Sequence, residues 1–351
     1  GSASFDFEQY KCRYHARSLL RYIVKLEVIL RQSQQPHNQR HAGVHLLSSS
    51  EIRHPVWLTP NLQGMGWMLI TTVLIVMMHT MIKFLAAQGL HPFEIGFFRT
   101  FFGFPVIAIL FWKYGRGILK TDQIKGHGIR SIGHVTAMMM FFLGLTTTQL
   151  ATANSLAFTA PLFATVLAVL ILGETIRWRR WVALAVGFAG ALVIIRPGII
   201  EVETGPLLVL GSSAIWGVIL IVIKSLGRRD ATPTIVVYMV MFMTPLSLIP
   251  ALFVWTWPTF DQYMVLLVMG VMGTTGHLTL TQALRIGDAG VVMPVDFFKL
   301  IWAAGFGFML FGEFPDLFTW LGGFMIFSSA TYVALRERAL ARSRSKASKD
   351  V

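Results

Sequence analysis

Ten long apolar segments follow one another between residues 64 and 335, and short polar stretches separate them. Each segment has about the 17–25 residues that an α-helix needs to cross the hydrocarbon core of a bilayer. Strands of a membrane β-barrel would be about ten residues long with alternating polarity, which these segments do not show. The pattern therefore predicts an all-α membrane protein. The ten predicted transmembrane helices cover residues 64–86, 93–112, 129–146, 151–172, 178–196, 205–225, 232–254, 262–284, 288–311 and 317–335.

The positive charges between these segments predict the orientation of the helices. The connections after the second, fourth, sixth and eighth segments and the C-terminal tail hold eighteen lysines and arginines. The alternate connections hold only Lys83 and Arg196. Cytoplasmic loops of membrane proteins have an excess of lysine and arginine. We therefore expect the basic connections, and with ten spans both termini, to be cytoplasmic.

The composition agrees with a protein whose main partner is the lipid bilayer. Hydrophobic residues make up 54% of the chain and charged residues 13%, whereas about 25% of a typical soluble domain is charged. The formal net charge of +13 would suggest nucleic acid only with a basic, base-reading face. The basic residues lie instead in short clusters between apolar segments, so no nucleic-acid partner is expected.

Few residues offer cofactor or metal chemistry. Cys12 is the only cysteine, which excludes a disulfide framework and a thiolate metal site. The phosphate-binding pattern GxxxxGK[ST] is missing, as are the HExxH and GxSxG patterns of metalloproteases and serine hydrolases. We expect neither a cofactor nor ATP hydrolysis.

The chain divides into four parts. Residues 63–198 and 203–336 each contain five predicted helices, and residues 337–351 form a basic cytoplasmic tail. Residues 1–62 are polar, with Arg17, Arg21 and Lys25 spaced by four beside leucines and isoleucines. This spacing is typical of a short basic amphipathic helix on an anionic membrane surface; the favoured alternative is a partly disordered tail or translated sequence upstream of the natural start.

An internal repeat relates the two five-helix parts. Three pairs of identical residues lie 141 positions apart, and a later group lies 139 apart. Because five is odd, the second half would enter the membrane upside down relative to the first, as in alternating-access transporters. The matching residues are Gly64 with Gly205, Lys83 with Lys224, Pro92 with Pro233, Gly173-Glu174 with Gly312-Glu313, and Trp181 with Trp320.

Two stretches resemble the EamA-type permeases of the drug/metabolite transporter superfamily. The first is ATANSLAFTAPLFATVLAVLILGETIRWRRWVALAVGFAGALVIIRPG, with Pro161, Gly173-Glu174 and the helix of Gly187 and Gly190. The second is ALRIGDAGVVMPVDFFKLIWAAGFGFMLFGE, at residues 283–313. One departure is Leu300, which occupies the repeat position of Pro161. The resemblance covers about residues 64–336.

The resemblance implies a secondary transporter in a bacterial inner membrane. Family members with an Asp and a basic residue in the second stretch resemble carriers of S-adenosylmethionine, riboflavin or amino acids. We expect a small polar or zwitterionic metabolite to move by alternating access. A channel-like facilitator and, less favoured, an intramembrane enzyme are the alternatives. Whether a proton or an antiported metabolite drives transport stays open, as do its direction and the oligomeric state.

Asp296 and Lys299 are the most informative charges, because they lie in the middle of an apolar segment. A charge at bilayer depth costs roughly 2.5–3.5 kcal/mol on insertion scales, so it needs a partner or a water-filled cavity. Residues three apart share a helix face and can pair. We expect the pair to line a central cavity and hold the substrate; the alternatives are proton uptake by Asp296 and a structural ion pair.

Four further residues are candidate substrate contacts: Arg99, His79, Asn154 and Trp216. Arg99 is a candidate contact for a substrate carboxylate or phosphate, but a structural role is favoured, either with its guanidinium near the lipid headgroups or in a bridge to Glu94. His79, with His134 and His277, is a candidate proton carrier or a packing residue. Asn154 and Trp216 offer amide and aromatic groups; Ser155, Ser212 and Ser213 are favoured as hydrogen bonds between helices.

Small residues and helix ends have plainer roles. We expect Gly187, Gly190, Gly305 and Gly307 to permit close contact between helices. Glu174 and Glu313 end their helices at opposite membrane surfaces, where solvated carboxylates are expected.

Overall fold

The computed structural model describes residues 59–172, 177–198, 203–227, 229–287 and 289–347. Within these ranges ten helices are long and apolar enough to cross a membrane, which confirms the all-α prediction. Most of residues 1–62, with the predicted amphipathic segment, lie outside the described residues, as do Glu174 and residues 348–351.

The helices are numbered here by membrane span. They are α1 (Pro60–Ala87), α2 (Pro92–Phe101 and Phe104–Tyr114), α3 (Ile124–Thr147), α4 (Leu150–Ala157 and Ala160–Leu172), α5 (Trp178–Ile195), α6 (Thr204–Leu226), α7 (Thr232–Leu252), α8 (Phe260–Ile286), α9 (Ala289–Val292, the 3₁₀ segment Met293–Phe297, and Phe298–Phe311) and α10 (Leu317–Ala347).

Three of these spans are interrupted, and a proline explains each interruption. Proline lacks the N–H that bonds the carbonyl four residues earlier, and its ring clashes with that carbonyl. The first segments of α2 and α4 end at Phe101 and Ala157, four residues before Pro105 and Pro161. In α9, Pro294 lies inside a 3₁₀ turn. The hydropathy pattern predicts each of these three spans but not its interruption.

Three antiparallel helix pairs bring the two five-helix parts together. In the pair α1–α8, the Thr71 hydroxyl donates to the Thr279 hydroxyl at 2.8 Å. In the pair α3–α6, the Ser212 hydroxyl donates to the carbonyl of Ala137 at 2.7 Å. In the pair α5–α10, the Ser329 hydroxyl donates to the carbonyl of Ala183. Each pair joins one helix from residues 63–198 to one from residues 203–336.

Glycine allows α5 and α10 to approach closely. A Cβ added at Gly190 would lie 2.7 Å from the Gly322 carbonyl oxygen and 2.9 Å from Met325 Cβ. Gly187 is similarly crowded, with the Ser329 hydroxyl 2.8 Å away. Gly305 in α9 differs, because nothing lies within 4 Å of an added Cβ. The predicted close helix contact therefore holds at Gly187 and Gly190 but is wrong at Gly305.

An ion pair also joins the C-terminal end of α5 to the N-terminal end of α10. The Arg196 guanidinium lies 2.6 Å from an Asp316 carboxylate oxygen, and the Thr319 N–H donates to the other oxygen at 2.8 Å. Partial burial alone would raise the pKa of Asp316, but these hydrogen bonds and the Arg196 charge lower it overall. The α10 helix then extends to Ala347, well past the predicted end, since residues 337–347 are rich in helix-forming Ala and Arg.

We predict that Gly190→Ala destabilises the protein. The new methyl group would press on backbone atoms of α10, and overpacking of this kind costs roughly 1–3 kcal/mol. Thermal unfolding of the purified protein should show a lower melting temperature. The matched control is Gly305→Ala, which gains helix propensity in open space and should melt no lower than wild type. Equal effects of the two substitutions would contradict the packing described here.

Candidate functional site

A cavity of about 190 Å³ lies between α1, α2, α3, α4, α6, α8 and α9. Apolar and aromatic side chains make up much of its wall, including Met78, Met138, Phe141 and Phe142. The polar and aromatic groups that also line it are His79, Arg99, His134, Ser212, Ser213, Trp216, His277 and Lys299. Mostly apolar walls with a few polar groups are typical of small-molecule sites.

The cavity collects four of the six residues that the sequence singled out. His79, Arg99, Trp216 and Lys299 line it directly. The other two lie one contact behind the wall. The Asn154 side-chain oxygen is 3.0 Å from Nδ1 of His79, and an Asp296 carboxylate oxygen is 2.7 Å from Nζ of Lys299. Asn154 and Asp296 therefore hold residues that face the cavity.

The interruptions in α4 and α9 lie at this wall. Ala157 and Ala160, on either side of the α4 break, both line the cavity. Lys299 is in the first turn of the α-helix that follows the 3₁₀ segment, and Asp296 is within that segment. Their side chains are 18% and 14% exposed, and their contact is an ion pair without aligned hydrogen-bond geometry. The predicted pairing is present, although the helix that supports it is broken.

Arg99 is buried at the end of the first segment of α2, with 5% of its surface exposed. Its Nη1 is 3.8 Å from the sulfur of Met138, and its Nε has no hydrogen-bond partner among the described residues. The predicted alternative, a bridge to Glu94, is wrong. Glu94 instead accepts hydrogen bonds from the backbone N–H and the hydroxyl of Thr256, both at 2.9 Å.

Two histidines and a tryptophan form an aromatic group in the wall. The His134 ring centroid is 4.5 Å from that of Trp216 and 5.7 Å from that of His277. His79 packs separately against Phe141, at 4.8 Å. Within the part of the chain that the structure describes, no three His, Cys, Asp or Glu side chains converge on a metal position. The group offers flat surfaces and ring nitrogens to an organic molecule.

Sequence reasoning undervalued several of these residues. It treated His134, His277 and the two serines of α6 mainly as packing groups. Ser212 and Ser213 do bond the carbonyls of Ala137 and Leu156 on neighbouring helices, at 2.7 and 3.3 Å, so the predicted hydrogen bonds between helices are present. They also line the cavity. In the sequence, these histidines and serines are recognisable only as polar residues near the middle of apolar segments. That position does not show which side of each helix faces the cavity.

A second polar layer lies one helical turn from His79. Lys83, four residues along α1, forms an ion pair with Glu313, at the end of α9. Lys83 also donates to the Thr148 carbonyl at 2.6 Å, and Glu313 accepts from the backbone N–H of Leu150 at 2.7 Å. Glu313 is only 13% exposed. The prediction of a solvated carboxylate is wrong, because this group joins α1, α4 and α9.

Comparison with known families agrees with this architecture. The profile of the EamA-like transporter family matches residues 62–196 and again residues 203–335. The chain belongs to the EamA-like transporter family. Each match covers five of the observed spans, so the family unit occurs twice.

Individual relatives of this EamA-family protein are also transporters. An S-adenosylmethionine uptake transporter of Rickettsia prowazekii is 30% identical over 277 residues, covering 79% of this chain and 94% of the relative. A riboflavin transporter of Vibrio cholerae is 29% identical over 287 residues, covering 80% and 96%. The protein is therefore a multi-pass inner-membrane transporter of a small-molecule metabolite rather than an enzyme.

A solved structure shares the fold. A crystal structure of another protein superposes with a TM-score of 0.55 and 17% sequence identity. The match covers 80% of this chain and 98% of that chain. At this identity the similarity shows the fold alone.

We predict that Asp296→Asn destabilises this transporter by leaving Lys299 without its counter-ion. Removing one partner of a buried ion pair costs roughly 3–5 kcal/mol, and the partial exposure here favours the lower end. The melting temperature should fall in Asp296→Asn and recover in Asp296→Asn/Lys299→Met, in which no charge is left unpaired. If the double variant melts as low as the single one, the ion pair does not explain the effect.

Proposed function

We propose that the protein is a secondary active carrier that moves a small polar or zwitterionic metabolite by alternating access. The substrate would be of the S-adenosylmethionine, riboflavin or amino-acid type. The observation that supports this proposal most is the cavity with its few polar groups, because helices from both EamA repeats supply its walls. Substrate sites between repeats, formed by discontinuous helices, are a recurring feature of secondary transporters.

The helix contacts support an inverted relation between the repeats. If the two repeats are related by two-fold symmetry, each helix of the first repeat corresponds to the helix numbered five higher in the second. Under this correspondence the pair α1–α8 becomes the pair α6–α3, and the pair α5–α10 becomes itself. The α4 break at Phe158 has its counterpart, 139 residues later, at Phe297, where the α9 break ends. These two rings stack with centroids 6.4 Å apart, as expected for equivalent residues on a two-fold axis.

Within this proposal the cavity residues have separate roles. His79, Arg99, Trp216 and Lys299 contact the substrate, and Asn154 and Asp296 hold His79 and Lys299 in place. Trp216 offers a flat face to a ring, and the cationic groups bind acidic or electron-rich parts of the molecule. The positive charges at the cavity wall are those of Arg99, on α2 of the first repeat, and Lys299, on α9 of the second.

The Lys83–Glu313 pair would close the outer end of the cavity. The basic connections point to a cytoplasmic location for the opposite end and for both termini. Lys83 lies one turn beyond His79 on the same face of α1, so its pair with Glu313 stands between the cavity and the ends of α1, α4 and α9. Opening toward the outside would then require this pair to separate.

Counterflow in proteoliposomes tests the proposed activity. Vesicles preloaded with unlabelled S-adenosylmethionine, riboflavin or an amino-acid mixture should accumulate the labelled form of the transported compound transiently above its external concentration. A channel would only equilibrate the label. Equilibration of the label without transient accumulation would therefore overturn the carrier proposal. If none of the compounds moves, the three proposed substrate classes are excluded.

We predict that fixing Lys83 to Glu313 blocks transport. In a Cys12→Ser background, Lys83→Cys/Glu313→Cys would be joined by a short bifunctional thiol reagent that a reductant cleaves. Uptake should fall at least tenfold after cross-linking and recover on reduction, because separation of α1 from α9 is prevented.

The matched control for this cross-link is Arg196→Cys/Asp316→Cys. It replaces another ion pair with a thiol pair, but it joins α5 to α10, away from the cavity. Transport should persist after the control pair is joined. Unchanged uptake by the cross-linked Lys83→Cys/Glu313→Cys protein would contradict the role assigned to this contact.

A further inference from the structure

The charges around the cavity are unbalanced. The ionisable side chains among the described residues that line it are Arg99, Lys299 and three histidines, all of them basic. Lys299 has its counter-ion in Asp296, at 2.7 Å. Arg99 therefore supplies the unbalanced charge of this wall.

No carboxylate in the described part of the chain pairs with Arg99. The acid on its own helix, Glu94, is fully buried and bonded to Thr256. Among the described residues, the guanidinium has one hydrogen-bonding contact, to the weak acceptor sulfur of Met138 at 3.8 Å, and Nε has none. A guanidinium has five N–H donors and cannot lose its proton under ordinary conditions, so burial without acceptors is unfavourable until an anion arrives.

A glycine on the neighbouring helix α8 leaves space for the guanidinium of Arg99. Gly273 in α8 faces Arg99, and a Cβ added there would lie 3.1 Å from Nε and 2.7 Å from the Met78 sulfur. A side chain at this position would crowd Nε. The glycine thus makes room for the buried Nε edge of the guanidinium, next to a cavity that Arg99 and Met78 both line.

We propose that Arg99 binds a carboxylate of the transported metabolite. This proposal rests on the carrier function proposed above and selects among its substrate classes. A planar guanidinium matches a carboxylate through two parallel hydrogen bonds. Because one unpaired positive charge faces the cavity, a monoanionic carboxylate balances it, whereas a phosphate group would bring about −1.5 to −2 charges. The substrate is then an amino acid or an amino-acid conjugate such as S-adenosylmethionine, and riboflavin, which has no carboxylate, fits poorly.

Pairs of compounds that differ only at the carboxylate test this proposal. Binding to the purified protein would be measured by ligand-induced thermal shift for S-adenosylmethionine against its decarboxylated form, and for each amino acid against its methyl ester. At least one carboxylate-bearing compound should bind ten- to a hundredfold more tightly than its partner, since hydrogen bonds to charged groups contribute about that factor. Arg99→Gln should abolish the difference, and Arg99→Lys should retain part of it.

Protein stability without ligand separates binding from a structural role. A structural arginine would lower the melting temperature when replaced, whereas removal of an unpaired buried charge should leave the melting temperature of Arg99→Gln unchanged or higher. Arg196→Gln is the control, because that residue is bonded to Asp316 outside the cavity. It should keep the full preference for the carboxylate.

Three results would overturn the assignment of Arg99 while leaving the carrier function intact. One is counterflow of riboflavin or decarboxylated S-adenosylmethionine at the rate of the best carboxylate-bearing compound. Another is an unchanged carboxylate preference in Arg99→Gln. The third is the absence of any carboxylate preference in the binding assay. Absence of counterflow for every compound, riboflavin included, would instead reject the three substrate classes proposed above.

Discussion

An ionised side chain inside a bilayer must find a partner, and this constraint organises the interior of the protein. Asp296 and Lys299 satisfy each other, Lys83 and Glu313 join three helices, and Glu94 is bonded to Thr256. Only because these acids are already bonded does the unpaired guanidinium of Arg99 become informative. An ionisable side chain within a membrane span is a candidate functional residue by default, and Arg99 also lines the cavity.

Proline and small residues place these charges where they can act. The breaks before Pro105 and Pro161 and the 3₁₀ turn at Pro294 interrupt α2, α4 and α9 near the cavity wall. Around this centre, the crowded glycines of α5 and α10 and the hydrogen bonds between the other antiparallel pairs hold the helices together. The arrangement combines close-packed helix pairs with interrupted helices at the cavity wall.

The fold could be predicted from the sequence further than the site could. Hydrophobic segment length is enough to predict ten helices, and most observed ends lie within a few residues of expectation. The ion pair of Asp296 with Lys299 was also predictable, because both residues lie on one short stretch. The partnership of Lys83 with Glu313, 230 residues away, was not, since hydropathy does not show which helices meet. For the same reason, the hydrogen bonds between Glu94 and Thr256 could not be predicted, and neither could the lack of a carboxylate partner for Arg99 among the described residues.

A substrate-bound structure in lipid nanodiscs tests the central claim most directly. With S-adenosylmethionine, or whichever carboxylate-bearing compound binds best, the account predicts ligand density in the cavity beside Trp216. The carboxylate should lie about 2.7–2.9 Å from the guanidinium nitrogens of Arg99, with the Asp296–Lys299 pair intact. Ligand density outside the cavity, or a carboxylate directed at Lys299 with Arg99 unoccupied, would contradict it.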